Sequence, residues 1–93
     1  MTDFGQMMAR YTELSNNRAE LLFEIEEKQD EVTSINDVIS RMKSEQHKNK
    51  KDMLAKARDK KRYLKYEMRA LHKQRRMIET ELDTIRMTVQ WAK

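Results

Sequence analysis

The chain has 93 residues, 39% of them charged and 38% hydrophobic, with a formal net charge of +4. That is enough for one small domain at most, and it is too polar for a thick globular core. With one glycine, no proline and no cysteine, the chain lacks the punctuation of a multi-element fold, a Gly-rich phosphate loop, a disulfide framework and any thiolate metal site.

The opening stretch MTDFGQMMARY has neither the charged start nor the apolar centre of a signal peptide. No apolar run approaches the ~20 residues that span a bilayer. A soluble, cytoplasmic protein is expected, and the missing cysteines suit a reducing compartment. From Phe4 onward, alternating steps of three and four pick out Met7, Tyr11, Leu14, Arg18, Leu21, Ile25, Lys28, Val32, Ile35, Ile39 and Met42. This is a heptad seam with two cationic interruptions, and it predicts a first helix over about 4–44.

The pattern then stops. KSEQHKNKKD, residues 43–52, contains no apolar side chain, no proline and no glycine. A turn at about 45–49 is predicted, with Asn49 as the N-cap and Asp52 three residues on, a relative of the capping box. Lys50 and Lys51 sit badly at a positive helix N-terminus, and the glycine that commonly ends a helix is missing. The seam resumes, one residue out of register, at Leu54, Ala57, Lys61, Leu64, Met68, Leu71, Arg75, Ile78, Leu82, Ile85, Val89 and Ala92. A second helix over about 50–92 follows.

The two seams mirror each other. Phe4 matches Ala92, Met7 matches Val89, Leu14 matches Leu82 and Met42 matches Leu54, each pair summing to 96. That register suits two antiparallel helices, with an a position of one level with a d position of the other. No seam cation is level with another cation, so each can lay its stem along an apolar neighbour and hold its charge in water. Residues 1–47 carry net −5 and residues 48–93 net +9. Glu20, Glu24, Glu26, Glu27, Asp30 and Glu31 are level with Lys65, Arg69, Lys73, Arg75 and Arg76 and are expected to pair with them across the seam.

The fold class expected is therefore all-α, a single helical domain over 1–93 formed as an antiparallel coiled-coil hairpin, a rod of about 65 Å at ~1.5 Å per residue. The alternative is one continuous helix in an antiparallel homodimer, which fits the same mirror rule. The register shift favours the hairpin, because a loop absorbs it whereas a continuous supercoil must unwind. A lone two-helix hairpin buries little apolar area, so self-association, a dimer first, is expected.

Two surfaces are candidates for contact. Tyr63, Tyr66, Ala70, Met77, Met87 and Trp91 fall on the c and f positions of the second helix, facing away from the seam, while Met8, Leu22 and Val38 widen the stripe of the first. Scattered surface apolarity is the plainer account of the outward residues. The second surface is a basic tip: residues 41–62 carry net +7, with Lys48, Lys50, Lys51, Arg58, Lys60 and Arg62 available to phosphates or an acidic partner. Arg62, Arg69 and Arg76 recur every seven residues with Tyr63 and Tyr66 between them, as a stacking and phosphate-tracking surface requires.

Enzymatic chemistry finds no support. His47 and His72 are too far apart for an i, i+4 metal pair. The carboxylates of EIEEKQDE read as a solvated helix face, and a slender hairpin offers no concave pocket in which to activate a nucleophile. No catalytic residue, metal, cofactor or small-molecule substrate is expected. Nor is a membrane partner, since the apolar faces are used by the helices on each other. The function expected is a non-enzymatic coiled-coil adaptor. It would bind a protein partner or another copy through its basic tip and its outward Tyr/Met/Trp stripe. The alternative is a small basic coiled coil that binds nucleic acid phosphates without strong sequence specificity.

Overall fold

In the computed structural model, which describes residues 3–46 and 48–91 and all of their side chains except that of Trp91, two helices account for almost the whole chain. α1 runs Phe4–Ser44 and α2 runs Lys50–Trp91. They pack antiparallel along a rod of 68 × 16 × 14 Å. The chain doubles back, so the continuous-helix alternative is not the conformation it adopts. No helix among the described residues is long and apolar enough to cross a membrane.

α1 starts where a capping residue permits it to. Asp3 has extended backbone, its side chain accepts from the Gly5 amide at 3.1 Å, and its carbonyl accepts from the Met7 amide at 3.0 Å. The first contact satisfies one of the orphan donors of the helix N-terminus, and the second is the first regular bond of the helix. Asp3 before Phe4 was a legible cap that the periodicity argument passed over.

The end of α1 explains how a turn forms without glycine. Glu45 leaves the helix in extended conformation, at φ −99° and ψ 143°, and no described residue adopts positive φ. Two of the last-turn carbonyls take side-chain donors instead: the Ser44 hydroxyl donates to Arg41 O at 2.8 Å, and the Lys50 ammonium donates to Lys43 O at 2.9 Å. Lys50 is thus badly placed for the positive start of its own helix but well placed for the negative end of the other. The Asn49 carbonyl accepts from the Met53 amide at 3.0 Å, which puts Asn49 at the N-cap position, and Asp52 lies in the first turn.

The core is the seam. Among the described residues, all seven buried hydrophobic ones, Leu14, Ile25, Val32, Ile39, Leu64, Leu82 and Ile85, are seam positions. Leu14, only 2% exposed, packs with Leu82 and Ile85, flanked by Tyr11, Ile78 and Val89. These contacts reproduce the mirror register. Phe4 is the exception among the aromatic seam residues: it stands 59% exposed at the open end of the rod, and Ala92, its expected neighbour, lies outside the described residues.

Candidate interaction surfaces

The seam cations come first, because they decide which charges are left over. Arg18 donates through Nε to Glu79 Oε1 at 3.0 Å, and the same oxygen accepts from Arg75 Nη1 at 3.1 Å. The Lys28 ammonium pairs with Glu67. Three of the four seam cations are therefore held by a carboxylate at the seam edge, where water alone was expected. Arg75 Nε is buried without a partner. Arg10, beside the seam, pairs with Glu81 at 3.1 Å, and Arg86 donates to the hydroxyl of the seam residue Tyr11 at 3.0 Å with its guanidinium 5.7 Å from the ring centroid.

These pairs shift the groups involved. Arg18, with Arg75 behind it, holds the Glu79 carboxyl below the usual carboxylate range. Lys28 does the same to Glu67, and Glu67 in turn raises the Lys28 ammonium. Glu67, one turn along α2, also raises the Tyr63 phenol.

In every ion pair between the helices among the described residues the cation belongs to the acidic helix and the carboxylate to the basic one. The expected zipper of Glu20, Glu24, Glu26, Glu27, Asp30 and Glu31 with Lys65, Arg69, Lys73, Arg75 and Arg76 does not form, and none of those six carboxylates makes an ion pair among the described residues. The reason for most of them is azimuth. Glu20, Glu24, Glu27 and Glu31 stand on the flat side of the rod opposite Lys65, Arg69 and Arg76, so being level does not bring them together; Glu26 shares the side of those cations but makes no ion pair with them, and Asp30 lies on the back of α1.

The two sides can be told apart by their contacts. Met8, Tyr11, Ile85, Arg86, Val89 and Gln90 line one shallow depression, and Ser15, Arg18, Glu79, Leu82 and Asp83 continue it. This first side carries the e and b positions. On α2 these include the cations Arg58, Arg62, Lys65, Arg69, Arg76 and Arg86 against Glu79 and Asp83; on α1 they include Met8, Ala19, Leu22 and Glu26. The second side carries g and c positions and a depression lined by Ser34, Ile35, Val38, Lys56, Ala57 and Lys60. There α1 presents Glu13, Glu20, Glu24, Glu27 and Glu31, and α2 presents Tyr63, Ala70 and Met77. One side is basic and the other acidic, with a sparse apolar strip on each.

Of the stripe, Tyr63, Tyr66, Met77 and Met87 are all exposed, Tyr66 the most at 72%. Tyr66 and Met87, at f positions, edge α2, whereas Tyr63 and Met77 look onto the second side. Trp91 ends α2, and its side chain lies outside the described residues. Sequence reasoning missed Phe23, 62% exposed on the back of α1, which an f position in the heptad count would have flagged.

The basic tip is less of a single patch than its sequence run suggests. Lys48 and Lys51 are exposed at the turn, while Lys50 is half-buried and its ammonium is engaged with Lys43 O. Arg58 and Arg62 lie on the first side of the rod and Lys60 on the second, and Arg62 sits 3.9 Å from Asp59. Among the described residues no three His, Asp or Glu side chains converge as a metal would need. No protein-family model, no curated protein and no solved structure matches the chain.

Proposed function

We propose that the chain is a non-enzymatic interaction module of the cytoplasm, a stiff hairpin that joins a protein partner or another copy of itself. The observation that carries this reading is the exposure of Tyr63, Tyr66, Met77 and Met87 on a helix whose apolar seam is already filled. Large apolar side chains aligned outside a completed core are the raw material of an interface. The stripe runs along the rod: Tyr63 and Tyr66 adjoin the basic end, and Met87 stands about 55 Å from the turn, at ~1.5 Å per residue.

The test replaces Tyr63, Tyr66, Met77 and Met87 together by serine. Helicity by circular dichroism is expected to stay at the wild-type level while association is lost. A collapse of helicity would instead make these residues part of the core and end the reading.

The row Arg58, Arg62, Lys65, Arg69 and Arg76, which runs along the first side without a matching acidic row on that side, favours a second reading, phosphate binding to nucleic acid. Affinity for arbitrary duplex DNA should then fall steeply with salt. Affinity at low salt no greater than that of a variant with the row neutralised removes this alternative.

A further inference from the structure

Glu13, Glu20 and Glu27 on α1 and Arg62, Arg69 and Arg76 on α2 form two columns with the same seven-residue period, a step of about 10 Å at ~1.5 Å per residue. They stand on opposite flat sides of the rod, so they cannot meet within one chain. Among the described residues their only ion pairs are exposed contacts within their own helices, Glu13 with Arg10 and Arg62 with Asp59.

We infer that each column is the docking partner of the other on a second copy of this chain. The basic side of one hairpin stacks on the acidic side of the next, which is turned end for end. Glu13 then lies level with Arg62, Glu20 with Arg69 and Glu27 with Arg76, a constant difference of 49 in residue number. This is a whole number of heptads, so the match holds along the rod. It also leaves the rods almost fully overlapped: centring one reversed rod on the other gives the same alignment to within a stagger of about 5 Å at ~1.5 Å per residue.

The other half of the same stack brings apolar groups together. Leu22 on the first side of one copy falls at the level of Ala70 on the second side of the other, with Ala19 and Met77 to either side. A flat side of a rod 68 Å long and 16 Å wide offers more than the ~800 Å² per partner of a standard interface. The two contacting sides differ, so every added copy still shows one basic and one acidic side. The interface is heterologous, and nothing in it stops assembly at two copies.

This inference rests on the interaction-module reading and names its partner. The test measures the mass of the full chain by sedimentation as concentration and salt are varied. Wild type is expected to grow beyond two copies at low ionic strength and to return to one copy as salt is added. Glu20→Gln with Glu27→Gln, and separately Arg69→Gln with Arg76→Gln, should each keep wild-type helicity but self-associate roughly tenfold more weakly.

Mixing the two variants is the decisive arm. Each supplies the column the other lacks, so the mixture should pair and stop at one of each. A wild type that stays at one copy at low salt overturns the inference, as does a mixture no heavier than its components. Should wild type stay at one copy while the Arg69/Arg76 variant loses binding to a short DNA duplex, the row is a nucleic acid surface. Association that survives both charge variants but is lost in the serine stripe variant sinks the stack and leaves the module reading standing.

Discussion

Arg18 reaches from α1 to Glu79 of α2 with an Nε to Oε1 distance of 3.0 Å, placing a cation of the acidic helix on a carboxylate of the basic one at the edge of the seam. Together with Lys28 and Glu67, this pair gives the stability of the hairpin a defined pH dependence. A carboxyl whose folded pKa is depressed contributes stability above its unfolded value and loses it as pH falls through its folded value; Glu67 and Glu79 are both of this kind. Lys28, raised in the fold, contributes below the ordinary ammonium value and is lost as pH rises through its own. The Tm of the wild type should therefore fall as pH drops out of the carboxylate range, and Glu67→Gln with Glu79→Gln should flatten that fall. Equal slopes in thermal melts of the two proteins would show that these pairs do not couple to folding.

Arg75 shares Glu79 but leaves its own Nε buried without an acceptor. A buried donor without a partner is destabilising, and an apolar side chain of similar length removes it while Arg18 still holds Glu79. Arg75→Met is expected to raise stability by about 1 kcal/mol. Denaturant melts test this, and a lower midpoint would mean that the guanidinium is needed at the seam.

Leu14 and Leu82, at 2% and 4% exposure, form the best-packed layer of the rod. Leu14→Ala and Leu82→Ala should each cost about 2–5 kcal/mol. Because the two side chains belong to one cluster, the double variant should lose less than the sum. Phe23→Ala on the exposed back of α1 should stay within ~0.5 kcal/mol of wild type. Chemical denaturation of the four proteins measures all of these effects.

Lys50 closes the turn by donating to the last-turn carbonyl of Lys43. Lys50→Met should lower stability by about 0.5–1.5 kcal/mol, the net worth of one hydrogen bond, whereas Lys51→Met next to it should change little. Equal effects from the two substitutions would assign the contribution to general charge and not to the cap.

Gly5 lies in the first turn of α1, and a Cβ there would meet nothing closer than Asp3 Oδ1 at 3.6 Å. Its φ is ordinary, so glycine's freedom serves no purpose in the folded state and only widens the unfolded ensemble. Gly5→Ala is expected to stabilise the protein by about 0.5–1 kcal/mol, read as a higher Tm with unchanged helicity.

The heptad positions from Met7 to Val89, the mirror register and the place of the turn follow from the sequence by itself, because a 3.5-residue apolar period defines both which face is buried and, once the chain reverses, which residues are level. What that period leaves open is rotation about the rod and the reach of individual side chains. Only the tertiary structure decided that Glu67 and Glu79 take seam cations, that Glu79 bridges two arginines, and that Lys50 caps the helix it does not belong to. Position along a helix is a one-dimensional property that residue spacing encodes, whereas a charge pair a few ångströms long depends on azimuth and rotamer, which exist only after the two helices have packed.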